Sequence, residues 1–142
     1  TDAWTIFANY TYLDTKVIQS ISDYQKSQGV VDTQAGNPMT NNPKHSGSLF
    51  TTYTLPFGLE LGYGLTYQGS WYLSNITGAT MYKSDDYLVH RAMLSYPITE
   101  KLSAQLNVQN FTNEKYYTSI RNNGWANPGE GRSWVLTLGY KL

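Results

Sequence analysis

Arg132-Ser133-Trp134-Val135-Leu136-Thr137-Leu138-Gly139-Tyr140-Lys141-Leu142 is the stretch whose reading decides the fold. Trp134, Leu136, Leu138, Tyr140 and Leu142 alternate with Val135, Thr137, Gly139 and Lys141, and a period of two belongs to a strand with two unlike faces. One face is wholly apolar or aromatic. A water-soluble sheet would hide it against a second layer, yet the chain offers no helix and no separate set of apolar strands to serve as that layer. The sequence therefore predicts lipid as the cover.

Outward from this strand, the same alternation recurs. Leu102 to Phe111 sets Leu102, Ala104, Leu106 and Val108 against Ser103, Gln105, Asn107 and Gln109. Leu59 to Trp71 is the clearest case, with Leu59, Leu61, Tyr63, Leu65, Tyr67, Gly69 and Trp71 on one side and Glu60, Gly62, Gly64, Thr66, Gln68 and Ser70 on the other. Strands are expected near 3–14, 46–55, 59–72, 87–96, 102–111 and 132–142. In the fourth, Arg91 is assigned inward and His90 outward, because a lipid-facing arginine costs about 2–4 kcal/mol near the midplane.

The connections are long, short, long, short, long. Residues 16–44 are rich in Ser, Gln, Asp, Asn, Gly and Pro and read as a long surface loop. Pro56-Phe57-Gly58 marks a tight turn, residues 74–86 a shorter polar loop, residues 97–101 a second tight turn, and 112–131 a third loop. Outer-membrane barrels have this asymmetry, with short periplasmic turns and long extracellular loops. It predicts an all-β antiparallel meander of six strands whose two ends both lie on the periplasmic side. A single-chain barrel needs at least about eight strands, so the missing ones must come from more of the same chain or from other copies.

Composition agrees and narrows the function. Aromatic residues make up 15% and charged residues 14%, with 13 Tyr and 4 Trp, the balance that interface girdles require. No apolar run approaches the roughly 18–20 residues of a spanning helix. Zero net charge gives no reason to expect nucleic acid as a partner, and the absence of cysteine excludes disulfides and thiolate metal sites. The chain starts at Thr1 without a charged n-region or apolar h-region, and so reads as a piece, or a mature segment, of something longer.

No Ser/His/Asp arrangement, phosphate loop or catalytic carboxylate pair can be assembled, and the chain reads as non-enzymatic. Asp85-Asp86 lacks the spaced oxygen ligands of a calcium loop, His45 and His90 lack metal-ligand spacing, and Asn75-Ile76-Thr77 reads as a chance acceptor sequence. No resident cofactor or metal is expected.

The run Leu106-Asn107-Val108-Gln109-Asn110-Phe111-Thr112-Asn113-Glu114-Lys115-Tyr116-Tyr117, the loop residues Pro128-Gly129-Glu130-Gly131-Arg132 and the ending Tyr140-Lys141-Leu142 resemble the C-terminal signature of TonB-dependent outer-membrane receptors. Pro43-Lys44-His45-Ser46-Gly47-Ser48-Leu49 and the stretch from Asp86 to Tyr96 agree with it. Ile120-Arg121-Asn122-Asn123-Gly124-Trp125-Ala126 is most similar to the catecholate iron-siderophore branch. The chain departs from the family at Leu142, where an aromatic residue is typical.

The resemblance implies the final six strands of a roughly 22-stranded transmembrane β-barrel. The whole would be a plugged receptor importing a ferric siderophore with energy delivered by TonB. The plug and its TonB-contacting segment are not in this sequence. Iron would be carried as the siderophore chelate, and the remaining partner would be outer-membrane lipid.

A ferric catecholate is anionic and ringed by aromatics, so cations and Tyr or Trp faces suit it. On that basis Arg121, Trp125, Tyr82, Lys83, Tyr24 and Arg132, with Lys26, are the expected ligand-binding residues of the extracellular loops. Glu60, Gln68, Arg91, Gln105, Asn107 and Gln109 are expected to line the barrel lumen. Two other readings stay open: an outer-membrane pore built from several short chains, and a soluble ligand-binding β-protein whose apolar face is covered by protein.

Overall fold

The computed structural model describes residues 3–121 and 124–141. Leu142, Asn122 and Asn123, which figured in the sequence reading, lie outside the described residues. Six strands form one antiparallel sheet: β1 (Trp4–Tyr12), β2 (His45–Thr54), β3 (Glu60–Gln68), β4 (Tyr87–Pro97), β5 (Leu102–Gln109) and, after a small hairpin of β6 (Tyr117–Ile120) and β7 (Ala126–Pro128), β8 (Ser133–Tyr140). The order in space is β1-β2-β3-β4-β5-β8, a meander with β6–β7 inserted before the last strand. Among the described residues the one helix, α1 (Asp23–Ser27), is a single turn, and no helix is long and apolar enough to cross a membrane.

The register carries the alternation across the whole sheet. One row runs Trp4, Tyr53, Leu61, Leu94, Leu106, Leu136, and the next runs Ile6, Thr51, Tyr63, Ala92, Val108, Trp134. Because side chains alternate along every strand, each such row lies on one face. Tyr10, Tyr12 and Tyr67 stand on this face toward the long-loop end, and Tyr53, Tyr96 and Tyr140 toward the short-turn end. Two aromatic bands thus border an aliphatic belt, as a lipid-facing wall requires. Leu136 and Leu138 are each 65% exposed, which for aliphatic side chains leaves a contiguous apolar surface without a protein cover.

The short turns are built by local chemistry. Leu55 N–H donates to the Leu59 carbonyl at 2.8 Å, and Gly58 occupies φ +89°, a left-handed position that favours glycine. At the second turn the Thr99 hydroxyl accepts from Leu102 N–H at 3.0 Å.

Three local features differ from the sequence reading. The third strand stops at Gln68 rather than running to residue 72: Gly69 N–H still reaches the His45 carbonyl at 2.8 Å, but Trp71 then pairs with Ser84 instead of the sheet. Trp71 is consequently 3% exposed beneath the loops and is not part of the lipid face. The first loop contains α1, whose Ser22 and Gln25 form a reciprocal capping box. The third loop is partly ordered by β6–β7, where the alternating Tyr-Thr-Ser-Ile segment finds a partner.

Candidate functional site: the loop crown and the polar face

The second face of the sheet gathers the residues expected to line the lumen. Arg91 pairs with Gln109, Met93 with Asn107, and Ser95 with both Glu60 and Gln105. Gln68 accepts from the Tyr87 hydroxyl at 3.0 Å, and Gln105 donates to Asn107 at 3.3 Å. The six therefore share a face.

Gly62 and Gly64 are what allow large side chains to lie flat on it. A Cβ on Gly62 would meet Met93 Cβ at 2.9 Å, and one on Gly64 would collide with Arg91 Nε. Arg91 lies across Gly64 with its guanidinium carbon 4.7 Å from the Phe50 ring centroid, a cation–π arrangement. Its Nε is buried without a hydrogen-bond partner among the described residues.

The loops of the other end are tied together by polar side chains. Asn37 Nδ2 donates to the Asn75 carbonyl at 2.7 Å and to Thr77 Oγ1 at 2.9 Å, while Asn75 Nδ2 donates to the Pro38 carbonyl at 3.0 Å. Backbone bonds from Thr77 to Thr33 and from Asn41 to Tyr72 complete the seam between the β1–β2 and β3–β4 loops. Asn75 is 6% exposed, so its amide serves this seam and is not an accessible glycosylation acceptor. Within the first loop the Ser20 hydroxyl and backbone N–H, then the N–H groups of Gln34 and Ala35, hold the Asp32 carboxyl well below the usual carboxylate range.

The third loop hangs on Asn110, which is 2% exposed at φ +47°. Its Nδ2 donates to the carbonyls of Glu114 and Glu130, both at 2.9 Å, and its Oδ1 accepts from Glu114 N–H at 2.8 Å. Gly129 lies against the face of Tyr116, where any Cβ would enter the ring, and Tyr116 packs 4.5 Å from Tyr87 of the wall.

The residues expected to bind ligand are distributed over this crown. Arg121 and Trp125 are brought together at the tip of β6–β7, with Arg121 N–H donating to the Trp125 carbonyl at 2.8 Å and the Trp125 ring 77% exposed. Tyr82 is exposed in the β3–β4 loop. Its neighbour Lys83 sits with Nζ 4.5 Å over the Tyr72 ring. Tyr24 is exposed on α1, in a different loop, and Lys26 donates to Gln19 at 2.8 Å. Arg132 stands at the base of the third loop, its Nη1 reaching the Phe111 carbonyl at 3.5 Å. The structure thus brings Arg121 beside Trp125 and sets Lys83 on Tyr72 rather than on Tyr82.

Sequence reasoning passed over the bracing roles of Asn37, Asn75 and Asn110, and a cavity of about 610 Å³ between the first two loops, lined by Asp14, Lys16, Lys44, His45, Tyr67 and Lys83 among others. Lys44 pairs with Asp14 at 3.3 Å. The Tyr12 hydroxyl and then Asp14 hold its ammonium above the ordinary lysine range. Among the described residues no group of three or more His, Cys, Asp or Glu is placed to hold a metal ion.

Residues 1–111 match the family model described as TonB dependent receptor-like, beta-barrel. The probable TonB-dependent siderophore receptor PiuA of Acinetobacter baumannii is 31% identical over 142 residues, covering 99% of this chain and 19% of that protein. The crystal structure of PiuA superposes with a TM-score of 0.79 over 99% of this chain and 20% of its own. The ferric-catecholate import receptor Fiu of E. coli K12, in its closed form, gives a TM-score of 0.78 at 26% identity, over 99% of this chain and 19% of that one. The ferripyoverdine receptor of Pseudomonas aeruginosa is 31% identical over 141 residues, covering 94% of this chain and 16% of that protein. The chain spans about a fifth of the length of these relatives, which are receptors rather than enzymes.

Proposed function

This chain belongs to the TonB-dependent receptor β-barrel family, and we propose that it supplies wall strands and three extracellular loops to an outer-membrane receptor that imports a ferric siderophore. The observation that carries the proposal is the six-stranded sheet itself. Its outward rows are aliphatic between aromatic bands, its connections alternate long and short, and it superposes almost entirely on siderophore receptors. In this reading further strands pair with the outer edges of β1 and β8, closing a barrel in which no backbone group faces lipid unpaired. The long loops lie outside the cell, both ends of the segment are periplasmic, and the polar face lines a lumen filled by a plug through which TonB acts.

The finer proposal is a catecholate ligand. It is supported by the likeness to Fiu, a ferric-catecholate import receptor, and by the exposed residues Arg121 and Trp125, whose backbones are hydrogen-bonded to each other at the β6–β7 tip. Arg121 and Trp125 would take the anionic, aromatic chelate by charge and ring stacking, with Tyr82 as a further ring; Tyr24, Lys83 and Arg132 are secondary, the last two being already engaged with Tyr72 and Phe111.

The test is labelled-iron uptake by cells expressing the full-length receptor. A ferric tris-catecholate should be imported and a ferric hydroxamate should not. Arg121→Ala should weaken binding about tenfold or more, the scale of one lost charge-assisted hydrogen bond. Import of the hydroxamate alone would overturn the catecholate assignment, and import of neither would overturn the transport reading.

A further inference from the structure

Phe7, Phe50, Gly64, Arg91, Gln109 and Ser133 are register partners in turn, so they form one level across the polar face. That level lies four residues below Gln68 and Tyr87, the loop-side ends of β3 and β4, or about 13 Å at the rise of a strand. It sets two aromatic rings and a guanidinium side by side on a face rich in hydroxyls and amides. Phe7 is 67% exposed there, an uncovered ring where the alternation of β1 calls for a polar side chain.

Arg91 is held in place without a counter-charge. Its guanidinium rests on Phe50 in the room left by Gly64, its Nε is buried without a partner, and no carboxylate pairs with it among the described residues. The other charged side chain among the described strand residues of this face is Glu60, level with Ser95 and so about 13 Å further along β4. The wall is therefore positive at mid-height and negative only near the short turns. A plain carboxylate would use the guanidinium and leave Phe7 bare. A ring-bearing anion can use both, its charge on Arg91 and its ring faces against Phe7 and Phe50.

We infer that the level of Phe7, Phe50 and Arg91 is a second binding station, which takes the ring-bearing anionic chelate after it leaves Arg121 and Trp125 and before it reaches the periplasmic end. The inference rests on the transport reading above and adds a step inside the lumen. Arg91 is then a specificity-determining residue that favours anionic cargo over uncharged cargo. Glu60, nearer the exit, repels the same anion and so does not retain it.

The test uses cells expressing the full-length receptor and a radiolabelled ferric tris-catecholate, with uptake measured in energised cells and equilibrium binding to the crown in de-energised ones. Rates are normalised to assembled barrel, read by heat-modifiable gel mobility. Arg91→Gln should lower the maximal uptake rate about tenfold or more, the scale of one lost charge-assisted hydrogen bond, while equilibrium binding stays within about twofold of wild type. Arg91→Lys, which keeps the charge without the planar fork, should fall between the two. Phe7→Ala leaves the guanidinium in place and should lower the rate about threefold, the scale of one lost ring contact. Rates within twofold of wild type in both Arg91→Gln and Phe7→Ala would overturn the station. Equal loss of binding and uptake in Arg91→Gln would place Arg91 in the crown site and overturn it as a second one. Entry of a large polar antibiotic through chelate-free Arg91→Gln receptor would show Arg91 holding the lumen closed against a carboxylate of the protein, and would overturn its assignment to the cargo. Absence of uptake in the wild type would overturn the transport reading, and the station with it.

Discussion

The wall and the loop crown bury opposite things. In the wall, Trp134, Leu136, Leu138 and Tyr140 are all more than 60% exposed, while backbone hydrogen bonds run unbroken from strand to strand. In the crown the most hidden side chains include Asn110, Asn75 and Ser84, at 2%, 6% and 6%, each bonding loop backbone, Asn110 and Ser84 within their own loop and Asn75 across to the neighbouring one. A protein in one solvent does not invert its own rule over so short a distance. The difference says that the two regions face different media: lipid dissolves the wall's side chains, and water forces the crown to be held together by directed polar contacts.

The sharpest way to break this contrast is to put a charge on each face of the wall. Leu61→Arg lies in the aliphatic row between Tyr53 and Leu94 and should cost about 2–4 kcal/mol of assembly free energy. Leu138→Arg, two residues from the rim residue Tyr140, should cost less, toward the ~0–1 kcal/mol of interfacial positions. Gln105→Arg, on the polar face, should change little, within about 0.5 kcal/mol. Folding yield of the full-length receptor into vesicles, read by heat-modifiable gel mobility, orders the three. Equal yields would mean that the faces are wrongly assigned.

The crown is broken most directly at Asn110. Asn110→Ala removes three hydrogen bonds at once and leaves the carbonyls of Glu114 and Glu130 and the N–H of Glu114 without this partner. The expected cost is about 1–3 kcal/mol of local stability, seen as faster hydrogen exchange and protease cutting within 112–131. Asn110→Gly loses the same bonds but tolerates φ +47°, so it should recover about 1 kcal/mol relative to alanine. Both variants should leave the wall assembled. If Asn110→Ala prevents barrel formation as strongly as Leu61→Arg, the separation of wall from crown fails.

The same contrast explains what was legible in the sequence. Wall strands declare themselves because one periodicity, repeated over eight or more residues, serves both the hydrogen-bond ladder and the lipid face. Arg91 could be turned inward from the penalty on lipid-facing charge alone, and it shares its face with Gln109 and Gly64. The crown obeys no period. Trp71 continues the alternation of β3, yet the chain has already left the sheet, and the ring is buried by contacts between loops that no local pattern encodes.

Asn37 with Asn75, and Lys16 and Lys44 with Lys83, are far apart in sequence and meet only because successive hairpins place the first two loops side by side. Arg121 and Trp125 could be picked out by residue type, and the pairing of β6 with β7 brings them together. Asn110 was inside the family-like run and still went unremarked, since an asparagine after a strand reads as a turn residue whether or not its side chain organises the next twenty residues.

The smallest expected effect is a pH dependence confined to the crown. Asp32 accepts from the Ser20 hydroxyl and backbone N–H and from the N–H groups of Gln34 and Ala35, so its folded carboxyl titrates below the ordinary aspartate value of about 3.9. A group depressed in the folded state contributes its full share above that ordinary value and loses it as pH falls through the folded one. The order of residues 20–35 should therefore be constant from neutral pH down to the ordinary aspartate range and decline only in stronger acid. Raising the pH should do nothing through this group. Hydrogen exchange at the Ser20 amide, corrected for intrinsic rates, measures the transition, and Asp32→Asn should abolish it while leaving the strand amides of β2 and β3 protected. Because Asp32 lies at the surface, only partly covered, the change is expected to be local and weakened by salt. Simultaneous loss of protection in the wall would show that crown and wall open as one unit, and the two-solvent comparison would then hold for composition but not for stability.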